Sequence, residues 1–113
     1  MTLAWVIAPK RELPLRKGQL AMSATLIVRH PVTDYATWRA TYDSAAVSAL
    51  HAKHGVSDSE VLRAPNDAND VTVIHRLATT DAANALAGDS DLTDAMMNGG
   101  VAGPPRIEIL ESV

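Results

Sequence analysis

The stretch TLIVRHPVTDYATWRATYD, residues 25–43, constrains the rest of the chain more than any other. Residues 24–30 are apolar and rich in β-branched side chains without strict alternation, the pattern of a central strand covered on both faces. Pro31 has no amide hydrogen to donate, so ladder pairing is expected to stop there. Thr33 or Asp34 then offers the N-cap oxygen for a helix. The stretch therefore reads as the first strand, first loop and first helix of a small α+β domain.

That helix is expected to run to about His54, where Gly55 can take the left-handed position that ends it. Tyr35, Trp38, Tyr42, Ala45, Ala46 and Ala49 fall at helical spacing and form one stripe, with Arg39, Asp43 and Ser44 turned away. Residues 59–63 read as a short second strand, followed by a turn-rich APNDAND segment. VTVIHRL, residues 71–77, is the third strand and the second central one. Thr79 or Thr80 caps a helix through Leu86, in which Ala82, Ala83 and Ala85 supply propensity. After Gly88, SDLTDAMMN restarts helically with Ser90 or Asp91 as cap. Gly99, Gly100 and Gly103 end that helix, and two prolines lead into a last strand at 106–111.

The order βαββαβ is the split βαβ, or ferredoxin-like, arrangement. It predicts a four-stranded antiparallel sheet with strands one and three central and the helices on a single face. The opposite face would carry Ile27, Ile74 and Leu110, an apolar patch that association into a homodimer would cover.

Composition narrows what such a domain can do. At 113 residues the chain has room for one core, and with 47% hydrophobic and 20% charged residues it is globular in character. It has two Trp, two Tyr and no Phe, so aliphatic side chains must fill most of the interior. A net charge of −3 opposes a nucleic-acid surface, which needs a clustered basic face. No cysteine is present, which rules out disulfides and thiolate chemistry and fits a reducing, cytoplasmic location. No apolar run approaches the roughly 20 residues of a membrane helix. Residues 1–21 read differently from the remainder: they carry +3 while the rest carries −6, and Pro9, Pro14 and Gly18 interrupt regular structure. They are expected to be a flexible arm or an upstream extension of the domain at 22–113. Their apolar piece LAWVIA precedes the basic residues and is short, so a secretory signal is not expected.

Three segments, RHPVTDYATWRATYD, PNDANDVTVIHRL and SDLTDAMMNGGVAGPPRIEILE, together resemble the dimeric α+β barrel superfamily. The resemblance covers nearly everything from Ala24 onward and leaves residues 1–21 unmatched. It implies a dimer in which two sheets face each other, with a small-molecule pocket between sheet and helices in each subunit. Proteins of this kind include cofactor-independent antibiotic-biosynthesis monooxygenases, cyclases and isomerases, so the resemblance implies an activity of that class with no cofactor. Leu77 and Leu86 stand where such proteins commonly carry aromatics, which the resemblance would read as a pocket less suited to stacking a flat polyaromatic.

Among the residues themselves, His30 is the leading acid–base candidate, because it ends the first strand four residues before Asp34, whose carboxylate could orient the imidazole. A structural reading is equally simple: His30 bonds the loop backbone. Antiparallel pairing places His30 near Val71 and His75 near Thr25, roughly 15 Å apart, so the two are not a dyad. His75, Tyr35, Trp38 and Tyr42 are candidate pocket residues; the aromatic triplet is also the pattern of an ordinary core stripe. Strand parity points Arg29, Arg76 and Glu108 toward the uncovered face, as an interface ion pair or an anion site. His51 and His54 lack further ligands in sequence and are explained by the negative end of their helix, and Asp89, Asp91 and Asp94 by capping. No metal is expected.

Overall fold

The computed structural model describes residues 23–113; the reading of residues 1–21 lies outside the described residues. Four strands and four helices follow in order: β1 (Ala24–Pro31), α1 (Tyr35–Tyr42), α2 (Ala45–Lys53), β2 (Asp58–Ala64), β3 (Asp67–Leu77), α3 (Thr80–Ala87), α4 (Ser90–Asn98) and β4 (Arg106–Glu111). The sheet order is β2-β3-β1-β4, and all three pairings are antiparallel. This is the expected ferredoxin-like α+β fold. No helix among the described residues is long and apolar enough to cross a membrane.

Pro31 is the last residue of β1, where ladder pairing was expected to stop: it faces Asp70, and its carbonyl accepts from the Ala102 N–H at 2.9 Å. A terminal position tolerates proline because only its missing donor is lost. The APNDAND segment is not a long turn. Only Pro65 and Asn66 turn, and Asp67 to Asp70 already belong to β3, with a register shift between Arg63 and Ala64 absorbing the mismatch.

The larger change is in the first helix, which breaks in two at Asp43 and Ser44. Ser44 is an N-cap whose Oγ accepts from the Val47 N–H, while the Asp43 N–H closes α1 onto the Arg39 carbonyl. Short polar side chains favour such local bonds over a continuing helix. The restart changes which face is buried: α2 turns Val47 and Leu50 inward and leaves Ala45, Ala46 and Ala49 exposed. The alanine half of the expected stripe is therefore solvent-facing. The cap of α4 is Asp89, one residue before the expected candidates.

Side chains of alternate residues separate the faces of the sheet as parity requires. Leu26, Val28, Val71 and Val73 are buried under the helices, in two clusters. One cluster joins Ala24, Leu26 and Val28 to Leu77, Ala83 and Leu86 beneath α3. The other joins Val32, Val71 and Val73 to Trp38 of α1. Leu77 and Leu86 both pack in the first cluster.

On the opposite face lie Ile27, Ile74 and Leu110, with Leu110 54% exposed. Arg29, Arg76 and Glu108 are on this face too, but they do not pair with one another. Arg29 forms a two-pronged ion pair with Asp70, its diagonal neighbour on β3, at 2.6 and 3.0 Å. Arg76 donates to the Thr25 hydroxyl, and Glu108 accepts from Arg106. Strand neighbours satisfy each charge locally, because β3 begins early enough to bring Asp70 beside Arg29.

Candidate functional site

Between the two core clusters is a cavity closed by the sheet on one side and by α1, α2 and α4 on the other. The sheet contributes Val28 and His30 from β1 and Val73 and His75 from β3. The helices contribute Trp38, Thr41 and Tyr42, then Val47 and His51, then Leu92, Ala95 and Met96. The cavity volume is about 40 Å³, enough for a few waters or a ligand of few atoms.

The wall is a continuous row of rings. His30 meets Trp38 edge-on at 5.7 Å between centroids, Trp38 stacks on Tyr42 at 5.1 Å, Tyr42 lies 5.5 Å from His51, and His51 lies 4.7 Å from His75. Tyr35 touches Trp38 but sits at the rim, under the Arg63 guanidinium and bonded to Arg39. It does not line the cavity.

Burial governs the electrostatics of this row. His30 and His75 are 3% and 5% exposed, and desolvation disfavours their charged forms. His75 is pushed down to about 4 by burial first and by the neighbouring His51 second. Burial lowers His51 as well; it also lowers His30, where backbone carbonyl interactions of His30 and Pro31 oppose the shift. Burial raises the Tyr42 phenol, with the Ser59 hydroxyl working against it. Neutral imidazoles with free ring nitrogens can accept or deliver a proton. The Nδ1 of His30 is buried with no hydrogen-bond partner among the described residues.

Asp34 does not serve His30. Its carboxylate caps α1, accepting from the Thr37 N–H at 2.9 Å and the Thr37 hydroxyl at 2.8 Å, and these bonds hold it below the usual carboxylate range. No hydrogen bond or ion pair joins it to His30. The N-cap role takes the carboxylate because Pro31 and Val32 continue the extended chain and direct residue 34 to the helix start. Trp38, one turn into that helix, packs against the imidazole instead.

His30 faces Val71, as expected, and His75 faces Leu26, one residue from the expected position. They share the helix-covered face, four residues apart along the ladder, about 13 Å at roughly 3.3 Å per residue. The pair is no dyad, yet both open on one cavity.

His51 is the residue that sequence reasoning missed. In a helix starting at Ser44, Val47, Leu50, His51 and His54 share a face, so the overlooked signal was the Asp-Ser pair within an apparently continuous helix. His54 leaves the cavity row and bonds the Asp89 carboxylate at 2.6 Å, clamping α2 to the start of α4. Among the described residues no group of three or more His, Asp or Glu is arranged to hold a metal.

No protein-family model matches the chain, and no curated protein matches it significantly. Solved structures do. The cofactor-independent oxygenase SnoaB from Streptomyces nogalater superposes with a TM-score of 0.65 at 15% identity, covering 82% of this chain and 95% of its own. A candidate antibiotic biosynthesis monooxygenase from Caulobacter crescentus gives 0.65 at 18% identity, over 84% of this chain and 93% of that one. A second such candidate, from Bordetella bronchiseptica, gives 0.67 at 15%, over 81% and 98%. At these identities the likeness is one of fold: the whole described domain is built as these proteins are.

Proposed function

We propose that the chain binds a small, mostly apolar organic molecule in the cavity between sheet and helices, and acts on it without a cofactor, as an oxygenase or a cyclase-like enzyme. The observation that carries this reading is the buried imidazole of His30 in the lining of a largely apolar cavity, with no hydrogen-bond partner for its Nδ1 among the described residues. An orphaned buried nitrogen costs stability unless something bonds it, and a ligand O–H or acidic C–H is a natural partner. Burial keeps that imidazole neutral and so able to take a proton near neutral pH. The fold is shared with a cofactor-independent oxygenase, which supports this reading as an analogy of fold.

In this scheme His30 is the base, Trp38 fixes its ring, and Tyr42 and His75 shape the cavity. Asp34 contributes by starting the helix that carries both aromatics. Each subunit would work within a homodimer formed through the open sheet face, where Arg29, Arg76 and Glu108 would frame the contact. A cysteine-free composition fits a cytoplasmic setting. The test is binding and turnover of a panel of phenols and enolisable ketones, with oxygen uptake followed, in His30→Ala and His30→Gln proteins of verified fold. Turnover should fall about 100- to 10,000-fold, the span typical of a lost general base. Unchanged affinity and turnover alongside reduced stability would sink the catalytic role.

A second reading is a binding or assembly module without turnover, favoured by the small volume of the cavity in this conformation. Ligand binding with no turnover in the unaltered protein would select it.

A further inference from the structure

We infer that the ligand site has two parts, the cavity beside His30 and an outer apolar groove between α4, the segment 99–105 and β4, joined through the side chain of Met96. The ligand class this adds is an organic molecule of two or more rings, whose polar end enters the cavity and whose apolar body lies in the groove. The inference rests on the cavity being the proposed ligand site.

Local sequence makes the groove. Helix α4 ends at Asn98, and Gly100, at φ +86°, turns the chain so that the Val101 N–H reaches the Met96 carbonyl at 3.1 Å. Pro104 and Pro105 follow with no amide hydrogen to donate, so the chain runs outside the ladder until β4 begins at Arg106. Between this segment and α4 lies a trough of about 400 Å³ whose lining includes Met97, Val101, Pro104, Pro105 and Ile107. Met97 is 71% exposed and Ile107 42%. Large apolar side chains gathered in one concave surface mark a binding surface, where single scattered ones do not.

Met96 lines both spaces. Neighbouring side chains on a helix stand about 100° apart, so Met96 turns inward, half-buried, while Met97 stands outward on the groove. The wall between cavity and groove is therefore an unbranched side chain with three rotatable bonds, which adapts to what it packs against. Each space also lacks what the other has. The cavity carries three imidazoles but only about 40 Å³, far below the roughly 300–1,000 Å³ of small-molecule sites. The groove has volume in that range, yet Thr93 is the one side chain of its lining with a polar group. A flat ring lying there would meet the sulfurs of Met96 and Met97, a favourable contact. A molecule with one polar end and an apolar body uses both parts, with Met96 setting how wide a body can pass.

The test is a titration of the full chain, labelled at its methionine methyl groups and histidine rings, with phenol and with 1-naphthol. Met96, Met97 and His30 are assigned from their losses in Met96→Leu, Met97→Leu and His30→Gln proteins. The expected result is that 1-naphthol moves the Met96, Met97 and His30 signals along one saturation curve. Met97→Glu, which sets a charge in the groove at an exposed position, should weaken 1-naphthol about tenfold relative to phenol. A 1-naphthol response at His30 with none at Met97 would confine the site to the cavity and overturn the inference. So would a response at Met97 with none at His30, or a Met97→Glu protein that binds both probes as before. Met97 signals that move with protein concentration and not with 1-naphthol would assign the groove to a second copy of the chain, again overturning it. A phenol response at His30 without any response to 1-naphthol sinks the two-part site alone, whereas silence toward both probes sinks the cavity reading with it. The readout is binding, so loss of the catalytic role of His30 leaves the result standing.

Discussion

Two buried imidazoles, His30 and His75, and the half-buried His51 around one cavity tie the stability of this protein to pH. His75 titrates near 4 in the folded state against 6.5 in the unfolded chain. Below 6.5 the unfolded chain takes up the proton first, so stability declines as pH falls toward 4 and this contribution levels off beyond it. A shift of that size corresponds to about 3 kcal/mol at full effect. Burial moves His30 and His51 in the same direction. Urea midpoints followed from neutral pH to 4 should therefore fall steeply, and more gently in His75→Gln. Asp89 acts in a lower window. The His54 ring, the Asp91 N–H and Lys53 hold its carboxyl well below the usual range, so its contribution is intact above the ordinary carboxylate pKa and is lost as pH drops below it. Asp89→Asn should lower stability at neutral pH and flatten the dependence on its acid side, as read from the same urea series.

At the scale of elements, the break between α1 and α2 places His51 in the cavity. Ser44→Ala removes the cap of α2 and should cost about 1 kcal/mol in chemical denaturation. A second device is the turn at Gly100, which has φ +86° and brings its backbone against Thr33, where a Cβ would lie 2.7 Å from Oγ1. Gly100 O also accepts from the Thr33 N–H at 2.9 Å, tying the end of α4 to the start of α1. Gly100→Ala should destabilise by roughly 1–3 kcal/mol, measured by thermal melting against the unaltered protein. These elements were unevenly legible. Strands β1 and β4 follow from residue pattern, and two caps narrow to Thr33 or Asp34 and to Thr79 or Thr80, of which Asp34 and Thr79 serve, because each depends on local chemistry. The break at Ser44 could not be weighed, since an apolar AAVSALHAK segment supports either a continued or a restarted helix.

For the whole molecule, the helix-free face of the sheet is the open question of association. Ile27, Ile74 and Leu110 lie together there, flanked by the locally paired charges Arg29 and Glu108. Burying such a patch in a two-fold contact is the expected remedy. Light scattering at micromolar concentration should give twice the 12.0 kDa chain mass, and Leu110→Glu should reduce it to one while leaving the histidine ring signals in place. A monomeric unaltered protein would refute the contact.

Read alone, the sequence determined the βαββαβ order, the central positions of β1 and β3, and the division of the sheet into a helix-covered and an open face. These depend on periodicity, proline, glycine and capping chemistry, which act within a few residues. Only the tertiary structure decided which polar groups meet. Asp34 turned to Thr37 rather than to His30, Arg29 took Asp70 rather than Glu108, and His51 joined His75 across the cavity. Those outcomes depend on helix phase and strand register, where one residue of offset exchanges a side chain's partners.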